Sequence, residues 1–312
     1  MAALHPAPTK TKMSSRAPED AEIGALMLIR LGYDLRFELP APTALIALLH
    51  VHPSRERDLL EPDELVTEPE LPLTSYIDSF GNRCTRLYAP AGMLRLSCST
   101  LIRGSNELDE IDPSAPEIPV QDLPNEVLQF LLNSRYCEVD LLSPVALDLF
   151  GHLKPGWDRV QAVIAHVYRI VQFGYHHARS TKTALDVYTE RAGVCRDFQH
   201  LAITFCRALN IPARYATGYL GDFGVPLSAS AMDFSAWFEV YLGDRWWTCD
   251  ARHNARRLGR VLMATGRDAS DVALTTSFGI ANLRHFHVVS DWLDEHGPVE
   301  IASQSTTAGA QP

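Results

Sequence analysis

The sequence predicts an α+β protein: an all-β, sandwich-like N-terminal domain, then a domain in which helices precede an antiparallel sheet. Three observations carry this. Period-2 alternation and turn dipeptides fill residues 25–105, an acidic Pro-rich stretch occupies 106–125, and helical periodicity begins only after Pro124. The 312 residues and 34.7 kDa suit two domains of ordinary size. With 46% hydrophobic and 21% charged residues, such a chain can bury a core without disulfide staples.

Residues 1–24 are rich in Ala, Pro, Lys and Ser, lack periodicity and are expected to form a disordered tail; Met13 and Met27 offer alternative starts. Tyr33, Leu35, Phe37 and Leu39 alternate with Asp34, Arg36 and Glu38, the pattern of a half-buried strand. Residues 43–52 form a continuous apolar run stopped by Pro53, expected as a buried strand with a helix as the alternative. Residues 76–80 and 83–88 flank Gly81-Asn82 and read as a hairpin. Leu94, Leu96, Cys98, Thr100 and Ile102 alternate with polar residues as a further strand. This domain, 25–105, shows no catalytic constellation. Residues 106–125 are expected to be a solvated linker.

The second domain is expected over 126–292, with 293–312 mostly a disordered tail. Residues 126–132 form a short helix. Val160, Val163, Ile164, Val167, Ile170 and Val171 mark one face of an amphipathic helix. A third helix spans 195–209, stopped by Asn210 and Pro212. Strands follow over 213–220, 235–242 and 246–250, with a Gly/Pro/Ser loop over 222–232. Gly243-Asp244 is the tight turn of a hairpin that would set Ser235 opposite Asp250, with Cys249 pointing away.

Composition narrows the function. A formal charge of -10, from 28 basic and 38 acidic residues, opposes nucleic-acid binding, which depends on Lys and Arg neutralising phosphates. No run of about 18 apolar residues occurs, so no spanning helix and no membrane partner are expected. The N-terminus lacks the apolar core of a secretory signal, which makes a cytoplasmic location the expectation. The six cysteines are scattered without a C-x-x-C pair, matching neither a zinc pattern nor a disulfide framework.

Cys195 is the one cysteine expected at a helix N-terminus, where unpaired backbone N–H groups and the macrodipole favour a thiolate. Gly193 lets the chain turn into that helix, and the N–H of Cys195 can help hold an oxyanion. Trp237, Trp246 and Trp247 crowd the hairpin; core packing is the expected role, ahead of a water-excluding wall. Arg252 could pair with Asp250.

Taken together, LIRLGYDLRFELPAP (28–42), LLHVHPS (48–54), SRYCEVD (134–140), TKTALDVY (181–188), GVCRDFQHLA (193–202), IPARYATGYL (211–220), DFSAWFEVYL (233–242) and DARHN (250–254) resemble the transglutaminase-like superfamily of papain-like cysteine enzymes, bacterial type with an N-terminal β-domain. The resemblance covers about residues 25–290. It implies a nucleophile at a helix N-terminus packed on an antiparallel sheet, and a Cys-His-Asp triad opening amide bonds through a thioester. Cys195 matches the nucleophile and Asp250 the orienting acid. The histidine of the H-A-W-x-E motif is replaced here by Ser235. A hydroxyl is no base near neutral pH, and lost acid–base help is typically worth roughly 10²–10⁴ in rate. His200 falls about 140° off the face of Cys195 at ~100° per residue. His253 follows Asp250 with the wrong strand parity, and His176 and His177 lie in a turn. For each of these, a surface or core role is expected rather than replacement of the lost imidazole.

Two functions follow. One is a cysteine peptidase, amidase or acyltransferase acting on a peptide or protein amide, with no metal or cofactor, and with hydrolysis favoured over cross-linking because water is always available. The other is a degenerate member that binds a peptide in the old cleft.

Overall fold

The computed structural model describes residues 27–226, 232–294 and 297–298. Six strands come first: β1 (Met27–Leu39), β2 (Thr43–Ala47), β3 (Val66–Glu68), β4 (Thr74–Ile77), β5 (Arg83–Ala89) and β6 (Gly92–Gly104). Helices α1 (Asn125–Leu128), α2 (Val139–Phe150), α3 (Trp157–Ile170), α4 (Ala184–Glu190) and α5 (Cys195–Ala208) follow, with the short strands β7 (Gln172–Phe173) and β8 (Ala192–Gly193) before α5. The chain ends in β9 (Ala213–Tyr219), β10 (Ser235–Leu242), β11 (Arg245–Cys249), β12 (Val261–Gly266), β13 (Thr275–Ser277), β14 (Asn282–Asp294) and β15 (Gly297–Pro298). The fold is α+β with a β-rich N-terminal part.

Alternation in the sequence becomes burial in the first unit. Ile29, Leu31, Tyr33, Leu35, Phe37 and Leu39 of β1 all point inward. One five-stranded sheet, β15-β14-β1-β6-β3, and one four-stranded sheet, β13-β2-β5-β4, share this apolar core. The run over 43–52 forms a strand only to Ala47. The hairpin around Gly81-Asn82 is present as β4 paired with β5.

Two expectations change here. Strands β13 and β14 lie within the span assigned to the second domain, yet they complete the N-terminal sheets, with Tyr33 opposite Val288 and Leu45 opposite Ser277. Burial of Val288 in that core explains the return of the chain. The tail expected from 293 is strand at Leu293 and Asp294, and at Gly297–Pro298. The tail at 1–24, the remainder of 293–312 and part of the 222–232 loop lie outside the described residues.

The 106–125 stretch is mostly exposed, as expected of a solvated linker, but it is also anchored. Asp109 accepts from Arg260 Nε at 3.0 and 3.1 Å and from the Arg257 backbone N–H at 2.9 Å. Glu117 holds Arg159 at 3.0 Å and caps the Gly156 N–H at 2.9 Å. Its acidity answers arginines far away in sequence, and these pin it to the second domain.

In that domain, the antiparallel sheet β11-β10-β9-β12 packs against one side of α5, while α2, α3 and α4 pack around the rest. Helix α5 is therefore enclosed: every residue from Asp197 to Arg207 is buried. Polar groups on it need internal partners. Arg207 has them, donating to the carbonyls of Leu132, Ala213 and Arg267. Tyr219, Val261 and Met263 extend from the sheet into the N-terminal core and couple the two units.

Candidate active site

The N-terminus of α5 is shaped by three residues. Val194 caps the helix in extended conformation, and Asp197 folds back to accept its N–H at 2.9 Å. A Cβ on Gly193 would come within 2.6 Å of the Asp197 side chain, so close approach is what demands glycine there. Gly174 N–H bonds to Gly193 O at 3.1 Å and anchors the turn that carries Tyr175 beside the helix start.

Cys195 is the first residue of α5 and is partly exposed, whereas the other five cysteines are buried. It lines a cleft of about 210 Å³ together with Ser235, His253, Asp233, Tyr175 and Arg257. Two of the three sequence-predicted site residues, Cys195 and Ser235, thus share one cavity. Asp250 is buried behind it and reaches the cleft through His253.

Burial opposes the expected thiolate. Burial pushes the Cys195 thiol up to about 11, the charge of Asp233 adds to this, and the Arg196 N–H only partly offsets both. One backbone donor does not outweigh desolvation among acidic neighbours. Burial likewise pushes Asp233 up.

The hairpin register also differs from expectation. Gly243 and Asp244 both have positive φ, 55° and 67°, and their two-residue turn sets Leu242 opposite Arg245 and Phe238 opposite Cys249. Continued beyond the ladder, that register would bring Ser235 across from position 252, two residues beyond Asp250. Cys249 does point into the core.

Asp250 ends β11, and the turn after it folds back over its carboxylate. Oδ1 accepts the N–H groups of Arg252 at 2.9 Å and His253 at 3.1 Å, and Gln199 Nε2 at 3.1 Å. Oδ2 accepts His253 Nδ1 at 2.9 Å and Arg260 Nη2 at 2.8 Å. Burial alone would raise this carboxyl, but Arg260 and His253 together hold it well below the ordinary range. Arg260, not Arg252, is the pairing cation; the Arg252 guanidinium lies 3.6 Å from the Phe173 ring centroid.

The sequence does not single out Gln199 and Arg260, and the parity reading turns His253 away from Asp250, which it contacts. Gln199 also bonds Ala236 O at 3.1 Å and the Ala251 N–H at 3.1 Å, joining α5 to the ends of β10 and β11. Its i+4 spacing from Cys195 on one helix face was the available signal.

The remaining candidates are placed elsewhere. Trp247 packs on Trp157 at 5.7 Å, Trp246 on Phe130 at 5.3 Å, and Trp237 is buried under Arg260; none of the three lines the Cys195 cleft. His200 is fully buried, stacked on Tyr136 at 5.0 Å, with Nε2 accepting the Ala269 N–H at 3.1 Å. Burial holds it down from the ordinary 6.5 to about 3, with Asp268 opposing. Because the folded value lies below the unfolded one, its contribution is full above 6.5 and is lost as pH falls towards 3. Urea midpoints are expected to fall over that window, with a shallower slope in His200→Phe. An unchanged slope would count against a neutral buried imidazole. Among the described residues, no group of three or more His, Cys, Asp or Glu side chains is placed to hold a metal ion. No helix among them is long and apolar enough to cross a membrane.

Comparison with known proteins gives three findings. The model of the Transglutaminase-like superfamily matches residues 145–251. A crystal structure from Cytophaga hutchinsonii, described as a "Putative Cysteine Protease", is 32% identical and covers 89% of this chain and 95% of that one, with a TM-score of 0.76. The uncharacterized protein ML0607 of Mycobacterium leprae is 31% identical over 94 residues, which span 29% of this chain and 33% of that relative.

Proposed function

The chain belongs to the transglutaminase-like superfamily, and from that premise we propose that it opens amide bonds through a thioester on Cys195. The observation carrying this reading is that Cys195, alone among six cysteines, is partly exposed, at a helix N-terminus in a cleft. The sulfur attacks the acyl carbon while its proton passes to a base in the cleft, which returns it to the nitrogen of the departing amine. The oxygen that gains charge is met by the N–H groups of the first turn of α5. The amine departs and water resolves the thioester, giving hydrolysis; an amine in place of water would give cross-linking. Asp250 acts as the orienting acid. Ser235 occupies the place of the family's histidine, lining the cleft without acting as a base. No metal or organic cofactor takes part in this scheme, the substrate is a peptide or protein amide, and the cytoplasm is the proposed location.

A catalytically degenerate, peptide-binding member is the second reading. Ser235 and the raised thiol of Cys195 favour it. Acylation separates the two. On incubation with p-nitrophenyl acetate, one acetyl group is expected on the Cys195 peptide by mass spectrometry, removed by hydroxylamine. Acetyl groups found only on other residues would defeat the enzyme reading.

A further inference from the structure

We propose that His253, held by Asp250, takes over the imidazole that the family places at position 235 and carries the proton for Cys195. This rests on the thioester reading. Strand parity hid the residue because parity ends with β11. Beyond Cys249 the chain makes a turn, closed by the Asn254 N–H on Asp250 O at 2.9 Å and by the Arg252 and His253 N–H groups on Oδ1. The turn swings the ring of His253 over the carboxylate three residues back, and the same ring lines the cleft with Cys195.

The carboxylate fixes the tautomer. An ionised carboxylate only accepts, so Nδ1 carries the hydrogen and Nε2 keeps its lone pair. This is the acid–imidazole pairing of a triad, with the imidazole on the acid's own turn rather than on the neighbouring strand. Asp250 already accepts from Gln199, Arg260, two backbone N–H groups and this ring, so an imidazole at 235 would have to displace one of them. Ser235 avoids that competition.

The proton balance is complete. His253 Nε2 takes the Sγ proton as the S–C bond forms and the carbonyl pair moves to oxygen. It gives that proton to the leaving amine as the C–N bond breaks. It then takes one from the attacking water and returns one to Sγ when the thioester opens.

Charged and titratable groups from several elements surround His253. Asp250 and Arg252 lie on its own turn, with Arg260 behind Asp250. Asp222 and Asp233 from before β10, Arg257 from beyond the turn, and Tyr175 and Cys195 line the same cleft.

The test reads the rate at which 2,2′-dipyridyl disulfide modifies Cys195 against pH, peptide by peptide, and needs no substrate. Wild type is expected to show a limb between about pH 5 and 8, where histidine titrates. His253→Gln is expected to lose the limb and to react at least about tenfold more slowly at pH 7.5, within the range general-base help provides. Matching profiles in both proteins would overturn the assignment. Nitrogen NMR of the folded wild type tests it independently: His253 is expected as the Nδ1–H tautomer, and an Nε2–H tautomer would overturn it. Acetylation of Cys195 with unchanged profiles would sink His253 alone. Absence of the acetyl adduct with the limb present would sink the thioester reading alone.

Discussion

Cys195→Ala is expected to lower turnover of p-nitrophenyl acetate by at least about 10³-fold, to the level of the remaining surface nucleophiles. Every bond-making step of the proposed scheme passes through this sulfur, and no other cysteine can stand in, because the other five are buried. Cys195→Ser is expected to fare little better, since the thiol is the stronger nucleophile and leaving group. Stability should barely move. The side chain is small and half-buried against the core, so the loss is expected to stay below about 1 kcal/mol. A large loss of activity without loss of thermal stability is thus the signature. A variant keeping activity within tenfold of wild type would end the thioester scheme.

Features written locally in the sequence survive in the structure. The alternation of β1 and β6 is local, so it translated into burial with little error. The start of α5 was visible in Gly193 and Cys195, and its end in Asn210 and Pro212. Helix α2 was hidden because Pro144 interrupts a pattern whose buried members are only Leu142, Ala146 and Phe150. Contacts between distant segments could not be read at all. Asp109 meets Arg260 151 positions later, and nothing near either residue announces the other. His253 failed for a different reason: strand geometry was applied past the end of a strand. At Cys195 the backbone N–H of the helix start does favour the thiolate, but desolvation, which depends on the whole fold and is not written locally, opposes it.

The second large effect concerns Arg260, which joins these distant pieces. Its guanidinium is buried, donates to Asp109 through Nε and to Asp250 through Nη2, and lies 5.1 Å from the Trp237 ring centroid. Arg260→Ala removes one cation from between two carboxylates, and breaking a buried pair from one side typically costs about 3–5 kcal/mol. Asp250 keeps the donors from Gln199, His253 and two N–H groups, so the lower half of that range is expected, read as a drop in the free energy of urea unfolding at pH 7 with the m-value unchanged. The pH dependence should change as well. The Asp250 carboxyl is held below its unfolded value, so its contribution is present at neutral pH and is lost as pH falls through the folded value. Without Arg260 the folded value rises, and acid unfolding should begin at higher pH. Asp109 would lose its guanidinium partner too, freeing the 106–125 stretch from one of its anchors and raising its protease sensitivity. A loss below about 1 kcal/mol would mean that the two carboxylates find other partners, and that Arg260 does not fix the acid behind the cleft.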